Sequence, residues 1–334
     1  MSSIPHVLFA SGLTACTLAA QIHIEARTAD TMTARTTAGS QTIAPGSALA
    51  SGQGVNSTYR SSIGNCTASA MAQVLFSGTS AGATAAFTNS ARSDEQFFCS
   101  GGPANAGQHA VIVALSSPIP VAGYIRVTAT PSRQASAFSY AAASYGVDVG
   151  VDGSFELRGG TNPLQPTTSP DFVELPVVLG STPLHIRLEA AAEVAQPFGP
   201  VSASMRLDLA FVAGAGRWTE FGSPCGAHLE SRLWKQGNSA GLSFGLTSTT
   251  PTPHAFLVAG TQDLAVPVPP TGCVLRTDLL VFVPVDLANG PREFALPLTV
   301  QLPVLDVRFQ LLSGVPQAGG TAWHTSQAHW LQLP

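Results

Sequence analysis

The chain has 334 residues, of which 45% are apolar and only 10% charged, with a formal net charge of −4 at pH 7. So large an apolar share excludes disorder, which needs low hydrophobicity. One lysine, Lys235, accompanies the arginines and no basic run occurs, which excludes a phosphate-tracking nucleic-acid surface.

Residues 1–20 read as a signal peptide, with Val7, Leu8, Phe9, Leu13 and Leu18 set among Ala, Ser, Gly and Thr. The stretch is too short and too interrupted to span a bilayer, which takes about 20 apolar residues. No Lys or Arg precedes its apolar core, so a first buried strand stays open as the alternative. After removal of this segment no membrane span is expected, and the location implied is secreted or cell-surface. Cys16 would leave with it. Cys66, Cys99, Cys225 and Cys273 remain, and four cysteines allow three connectivities. Pairing of neighbours, Cys66–Cys99 and Cys225–Cys273, gives each of two compact units one bridge. Free buried thiols in a cytosolic protein are the alternative. There is no C-x-x-C, so neither pair has metal-ligand spacing.

From residue 21 onward the pattern is period two. Ile22, Ile24 and Ala26 alternate with His23, Glu25 and Arg27, and Leu184, Ile186 and Leu188 with His185, Arg187 and Glu189. Met205, Leu207, Leu209 and Phe211 oppose Arg206 and Asp208; Leu305, Val307, Phe309 and Leu311 oppose Asp306, Arg308 and Gln310. Each run predicts an antiparallel strand with one wet face. Gly (32) and Pro (25) recur too often for long helices. Asp152-Gly153 predicts a tight type I′ hairpin within Val147–Leu157, and Pro163, Pro166 and Pro170 mark a long loop from Gly159 to Pro170. A break at Ala213-Gly214-Ala215-Gly216 sets a boundary near residue 218. The reading is all-β: two tandem, jelly-roll-like β-sandwich domains, 21–215 and 218–334.

The second unit contains Gly222-Ser223-Pro224-Cys225-Gly226, then Gly272-Cys273-Val274-Leu275, an apolar run Leu279–Val285 and a turn at Asn289-Gly290. Ala295-Leu296-Pro297-Leu298 and a final strand Val304–Leu312 follow. In spacing and composition this last third of the chain resembles a C-terminal module of uncharacterised secreted proteins of planctomycete-type bacteria. The resemblance implies a small β-sandwich bridged by Cys225–Cys273, and brings no catalytic residues with it. Trp323 to Trp330 is richer in Trp and His than that module.

Local motifs for catalysis are weak. Gly78-Thr79-Ser80-Ala81-Gly82 and Gly237-Asn238-Ser239-Ala240-Gly241 match a nucleophile elbow, but neither is followed by a helix. His109, His185, His228, His254, His324 and His329 are dispersed and lack zinc spacing. Asp148 with Asp152, and Glu189 with Glu193, fall on common strand faces; glycosidases use such pairs at about 5–9.5 Å, and solvated hairpin acids are the simpler reading. No cofactor and no metal is expected. Trp218, Trp234, Trp323 and Trp330 all lie in or beside the second unit. An exposed indole stacks on the apolar face of a sugar, so these four are the candidate ligand-binding residues, with core packing as the alternative. Tyr124, Tyr140 and Tyr145 raise the same question. The role expected is non-catalytic binding of glycan or another surface component. Two rivals stay open. One is a structural subunit of an extracellular layer or appendage, self-associating through an uncharged edge strand at Ala68–Phe76 or Leu279–Val285. The other is a secreted polysaccharide or ester hydrolase.

Overall fold

The alternating runs become strands wherever turn residues bound them, and no helix occurs among the described residues. The computed structural model describes residues 21–60, 66–94, 104–135, 140–161, 170–195, 200–214, 218–298 and 305–333. The expected signal peptide, Cys99 and residues 162–169 of the proline-marked loop lie outside the described residues. In chain order the strands begin β1 (His23–Thr28), β2 (Met32–Thr36), β3 (Gly39–Ile43), β4 (Ala48–Leu49), β5 (Gly54–Arg60) and β6 (Thr67–Gly78). Next come β7 (Gly82–Ser93), β8 (Ala104–Ser116), β9 (Val121–Gln134), β10 (Tyr140–Val149), β11 (Leu157–Gly160) and β12 (Asp171–Leu179). They continue as β13 (Leu184–Ala195), β14 (Val201–Ala213), β15 (Trp218–Phe221), β16 (Ala227–Gln236), β17 (Ser239–Ser248) and β18 (His254–Gly260). The last are β19 (Asp263–Val268), β20 (Cys273–Thr277), β21 (Val281–Val285), β22 (Arg292–Leu298), β23 (Leu305–Gln317) and β24 (Gly320–Leu333).

The protein is all-β and its strands pair antiparallel. An eight-stranded sheet runs β11-β10-β13-β8-β1-β4, with β2 on β8 and β3 on β2; a nine-stranded sheet runs β22-β17-β16-β12-β9-β14-β7-β6-β5. A five-stranded sheet runs β15-β24-β23-β18-β21, and β19 and β20 form a separate ribbon. Successive strand residues point to opposite faces, so neighbours on one strand can serve different cores. Val173 joins the first core, built with Phe87, Ile125, Leu188 and Phe211, whereas adjacent Phe172 joins the second, with Trp218, Leu229, Phe244, Leu257 and Leu331. The eight- and five-stranded sheets therefore cover opposite faces of the nine-stranded sheet.

Apart from Phe172, and Tyr124 packed against it, the second core draws on residues from 218 onward. The sheet does not divide there: β12 pairs with β16 (Phe172↔Lys235, Val173↔Trp234, Glu174↔Leu233). Cys225 and Cys273 are bonded, with Cα atoms 5.7 Å apart. The bridge ties the β15–β16 connection to the start of β20. Cys66 is buried.

Three local expectations need correction. Asp152-Gly153 is not a two-residue turn: β10 ends at Val149 and β11 begins at Leu157, because Asp148 accepts hydrogen bonds from Asp152 N (3.2 Å) and Gly153 N (3.0 Å) and holds a wider loop. Gln310, expected on a wet face, is fully buried under the β19–β20 ribbon, where it accepts from Arg276 N (2.8 Å) and donates to Val274 O (3.0 Å) and Ser326 O (2.7 Å). Ala68–Phe76 is not an edge, since β6 lies between β5 and β7. Both Gly-x-Ser-x-Gly segments are hairpin turns, at β6–β7 and β16–β17. No helix among the described residues is long and apolar enough to cross a membrane.

Candidate functional site

The alternation of β16 sends Leu229 and Leu233 into the second core, and Ser231 is buried between them. His228, Glu230, Arg232 and Trp234 occupy the opposite face. Their partners in register on β17 are small: Glu230↔Gly245, Arg232↔Ser243, Trp234↔Gly241. A Cβ at Gly245 would stand 3.2 Å from Glu230 Oε2, and one at Gly241 would stand 2.9 Å from the Trp234 ring. The two glycines thus leave room for large side chains to lie across β17. Trp234 does so, its Nε1 donating to Ser243 Oγ at 2.9 Å.

The widened β10–β11 loop forms a wall beside this face. Glu156 pins it, its Oε2 accepting from Val149 N at 2.6 Å. Between wall and floor lies a cleft of about 470 Å³, lined by Asp152, Glu156, Leu175, Glu230, Arg232 and Ser243 among others. Glu220 of β15 and Gln327 and His329 of β24 complete the lining. Arg232 is 3.8 Å from Glu156 and 4.0 Å from Glu293. His228 Nε2 lies 3.5 Å from Glu230 Oε1, a contact that raises the imidazole pKa and lowers that of the carboxyl. Burial pushes Glu156 up to about 7 and also raises Glu220. The cleft therefore combines acceptors, a guanidinium donor and an apolar patch from β12, with carboxyl groups outnumbering cationic ones.

At the inner end of the cleft, the Ser231 hydroxyl is hydrogen-bonded to His329 Nδ1, and His329 Nε2 lies 3.8 Å from Glu220. The order resembles a serine-hydrolase relay, but Ser231 is 5% exposed and sits on the core side of β16. It is a buried polar network. Burial lowers His329 to about 3, so the ring is neutral in the folded chain while an unfolded chain binds a proton below its ordinary 6.5. This group's stabilisation is complete above 6.5 and is lost as pH falls from 6.5 towards 3. Glu156 acts in the opposite sense, its contribution being lost as pH rises from 4.5 through about 7. Thermal melts from pH 7 to 4 should show His329→Gln losing less stability on acidification than the wild-type chain. A parallel decline in both would contradict this role.

None of the four tryptophans singled out by sequence lines the cleft; Trp234 comes nearest, packing against the first core and donating to the lining residue Ser243. Trp218 is 0% exposed and meets His329 edge-on at 6.4 Å between centroids, so it cannot be a platform. Trp330 is half-buried; its Nε1 donates to Asp306 Oδ1 at 2.7 Å and the Arg308 guanidinium covers its ring at 4.5 Å. Trp323 is half-buried against Phe256, 6.1 Å away. Tyr145 is buried and donates to Asp171, while Tyr140 is exposed and Tyr124 packs on the second core. Sequence reasoning missed Glu156, Glu230 and Arg232. The signal available was the large polar row 228/230/232/234 facing the small row 241/243/245. Among the described residues no group of three or more His, Cys, Asp or Glu could hold a metal ion. Comparison with known protein families, curated proteins and solved structures finds no match to the chain.

Proposed function

We propose that this is a secreted or cell-surface, non-catalytic β-sandwich protein that binds a neutral glycan in the cleft over β12, β16 and β17. The observation that carries the reading is the cleft's composition. Arg232, Ser243, Asp152 and Glu230 offer donors and acceptors for hydroxyl groups, and Leu175 gives an apolar patch, with Ser243 held from behind by Trp234 Nε1. Ligand pockets combine an apolar lining with a few placed polar groups in this way. Even with Glu156 holding its proton up to about 7, the carboxyls of the cleft leave no surplus of positive charge over Arg232 and His228, so nothing in it selects uronates or sulfated sugars. A glycan array with the secreted chain should return neutral oligosaccharides and few acidic ones. Arg232→Ala should weaken binding about tenfold or more, the loss of one charge-assisted hydrogen bond of about 1.5–3 kcal/mol, with little change in Tm. Binding confined to acidic glycans, or unaltered by Arg232→Ala, would refute the reading.

One observation favours a second reading as a polysaccharide hydrolase. Glu156 holds its proton to about 7 while Glu230, in the same cleft, is kept ionised; pairs of carboxyls separated in this way serve as acid and base. Release of reducing ends from an array-positive glycan, lost in Glu156→Gln, would select the hydrolase. Binding without release selects the binding protein.

A further inference from the structure

The sheet edges of this chain are not treated alike. The edge strands β4, β11 and β15 are only two to four residues long. β5 and β22 carry Arg60, Arg292 and Glu293, β3 exposes Ser40, Gln41 and Thr42, and β19 contains Asp263 and Pro267. Short length, polar or charged side chains and proline are devices that keep an edge from pairing with another chain.

β21 departs from this pattern. It ends the five-stranded sheet, bonded to β18 on one side only. The strand and the two residues before it, Leu279–Val285, carry no charge, and Pro284 is the single guard. Leu279 (41% exposed), Leu280 (63%), Val281 (53%) and Phe282 (49%) form a consecutive exposed apolar run. The apolar surface continues inward over the outer face of the sheet. Phe282 meets Phe256 edge-on at 6.3 Å, Phe256 meets Trp323 at 6.1 Å, and Leu312 lies opposite Phe256 in register. Exposed apolar surface of this kind marks an interaction site.

We infer that β21 is the pairing edge for a second copy of this chain, joining two five-stranded sheets about a two-fold axis. Three features favour a second copy over an unlike partner. A two-fold interface sets the same patch against itself, and an uncharged run meets no like charge when doubled. A net charge of −4 spread over 334 residues gives little repulsion between copies. An axis through Val281 sets Leu280 opposite Phe282 and Leu279 opposite Val283, apolar throughout, and brings the two Phe282–Phe256–Trp323 stripes into line.

Analytical ultracentrifugation of the full chain from micromolar to near-millimolar concentration tests this. The wild-type chain should approach twice its monomer mass, and Leu280→Lys should remain monomeric with unchanged cleft binding. Hydrogen exchange on the wild-type chain gives a readout independent of any variant's folding: amides of 279–283 should gain protection as concentration rises. A wild-type monomer at the highest concentration, a Leu280→Lys dimer, or concentration-independent exchange at 279–283 would each overturn the inference. None of these outcomes bears on ligand binding in the cleft.

Discussion

Trp218→Ala is expected to lower the unfolding free energy by about 3–5 kcal/mol, the usual cost of emptying a core position of an aromatic side chain. Trp218 is fully buried at the start of β15 and packs with Leu229, Leu233 and Leu331 in the second core. It also stands edge-on to His329, so its loss would loosen the Ser231–His329 network at the inner end of the cleft. The indole N–H has no hydrogen-bond partner among the described residues. Trp218→Phe should therefore recover much of the loss, since it removes volume and leaves no acceptor unpaired. Denaturant titration of the three proteins checks both statements. A Trp218→Ala variant within about 1 kcal/mol of wild type would show that the ring is not core.

The second large effect belongs to the disulfide. Cys225 and Cys273 are 48 residues apart, and opening a loop of that length costs about 4 kcal/mol on chain entropy alone. The bridge also fixes where β16 departs relative to β24, since Cys225 N donates to Thr325 O (2.7 Å) and Thr325 N to Cys225 O (3.2 Å). Cys225→Ser with Cys273→Ser should lower Tm by several degrees or more and raise exchange first in β19, β20 and the β15–β16 connection. Equal loss of protection in β7, β9 and β14 would mean that the two cores unfold together. Exchange confined to the second core would show that the shared sheet transmits little of the damage.

Strand content was legible because half-buried strands write their two faces into the sequence. Met205, Leu207, Leu209 and Phe211 are buried and Arg206 and Asp208 pair outside at 2.8 Å, as the alternation predicts. Turn glycines were equally plain: Gly237, Gly272 and Gly290 all adopt positive φ. Gln310 was misread because alternation reports which residues share a face and not what later covers it. The β12–β16 pairing was invisible for a related reason. Register between distant strands is set by the assembled cores, and a local pattern does not encode it. The cleft needs three such facts together: the polar row of β16, the small row of β17 and a loop widened by Asp148. The tryptophans show the limit of composition. Their clustering in one half was real, yet Trp218 and Trp234 serve opposite ends of the range from full burial to half exposure.

Paired titrations of Trp234→Ala and Trp330→Ala against one array-positive neutral oligosaccharide test the central claim most directly. Both rings are half-buried, so the comparison separates position from stability. Trp234 holds Ser243, a lining residue of the cleft, through its Nε1, whereas the Trp330 ring is capped by Arg308 and anchored to Asp306. Trp234→Ala is expected to lose up to about tenfold in affinity by releasing Ser243, the scale of one hydrogen bond of about 1 kcal/mol, while Trp330→Ala binds as the wild type does. Loss of binding in Trp330→Ala with none in Trp234→Ala would contradict it and place the ligand on the five-stranded sheet.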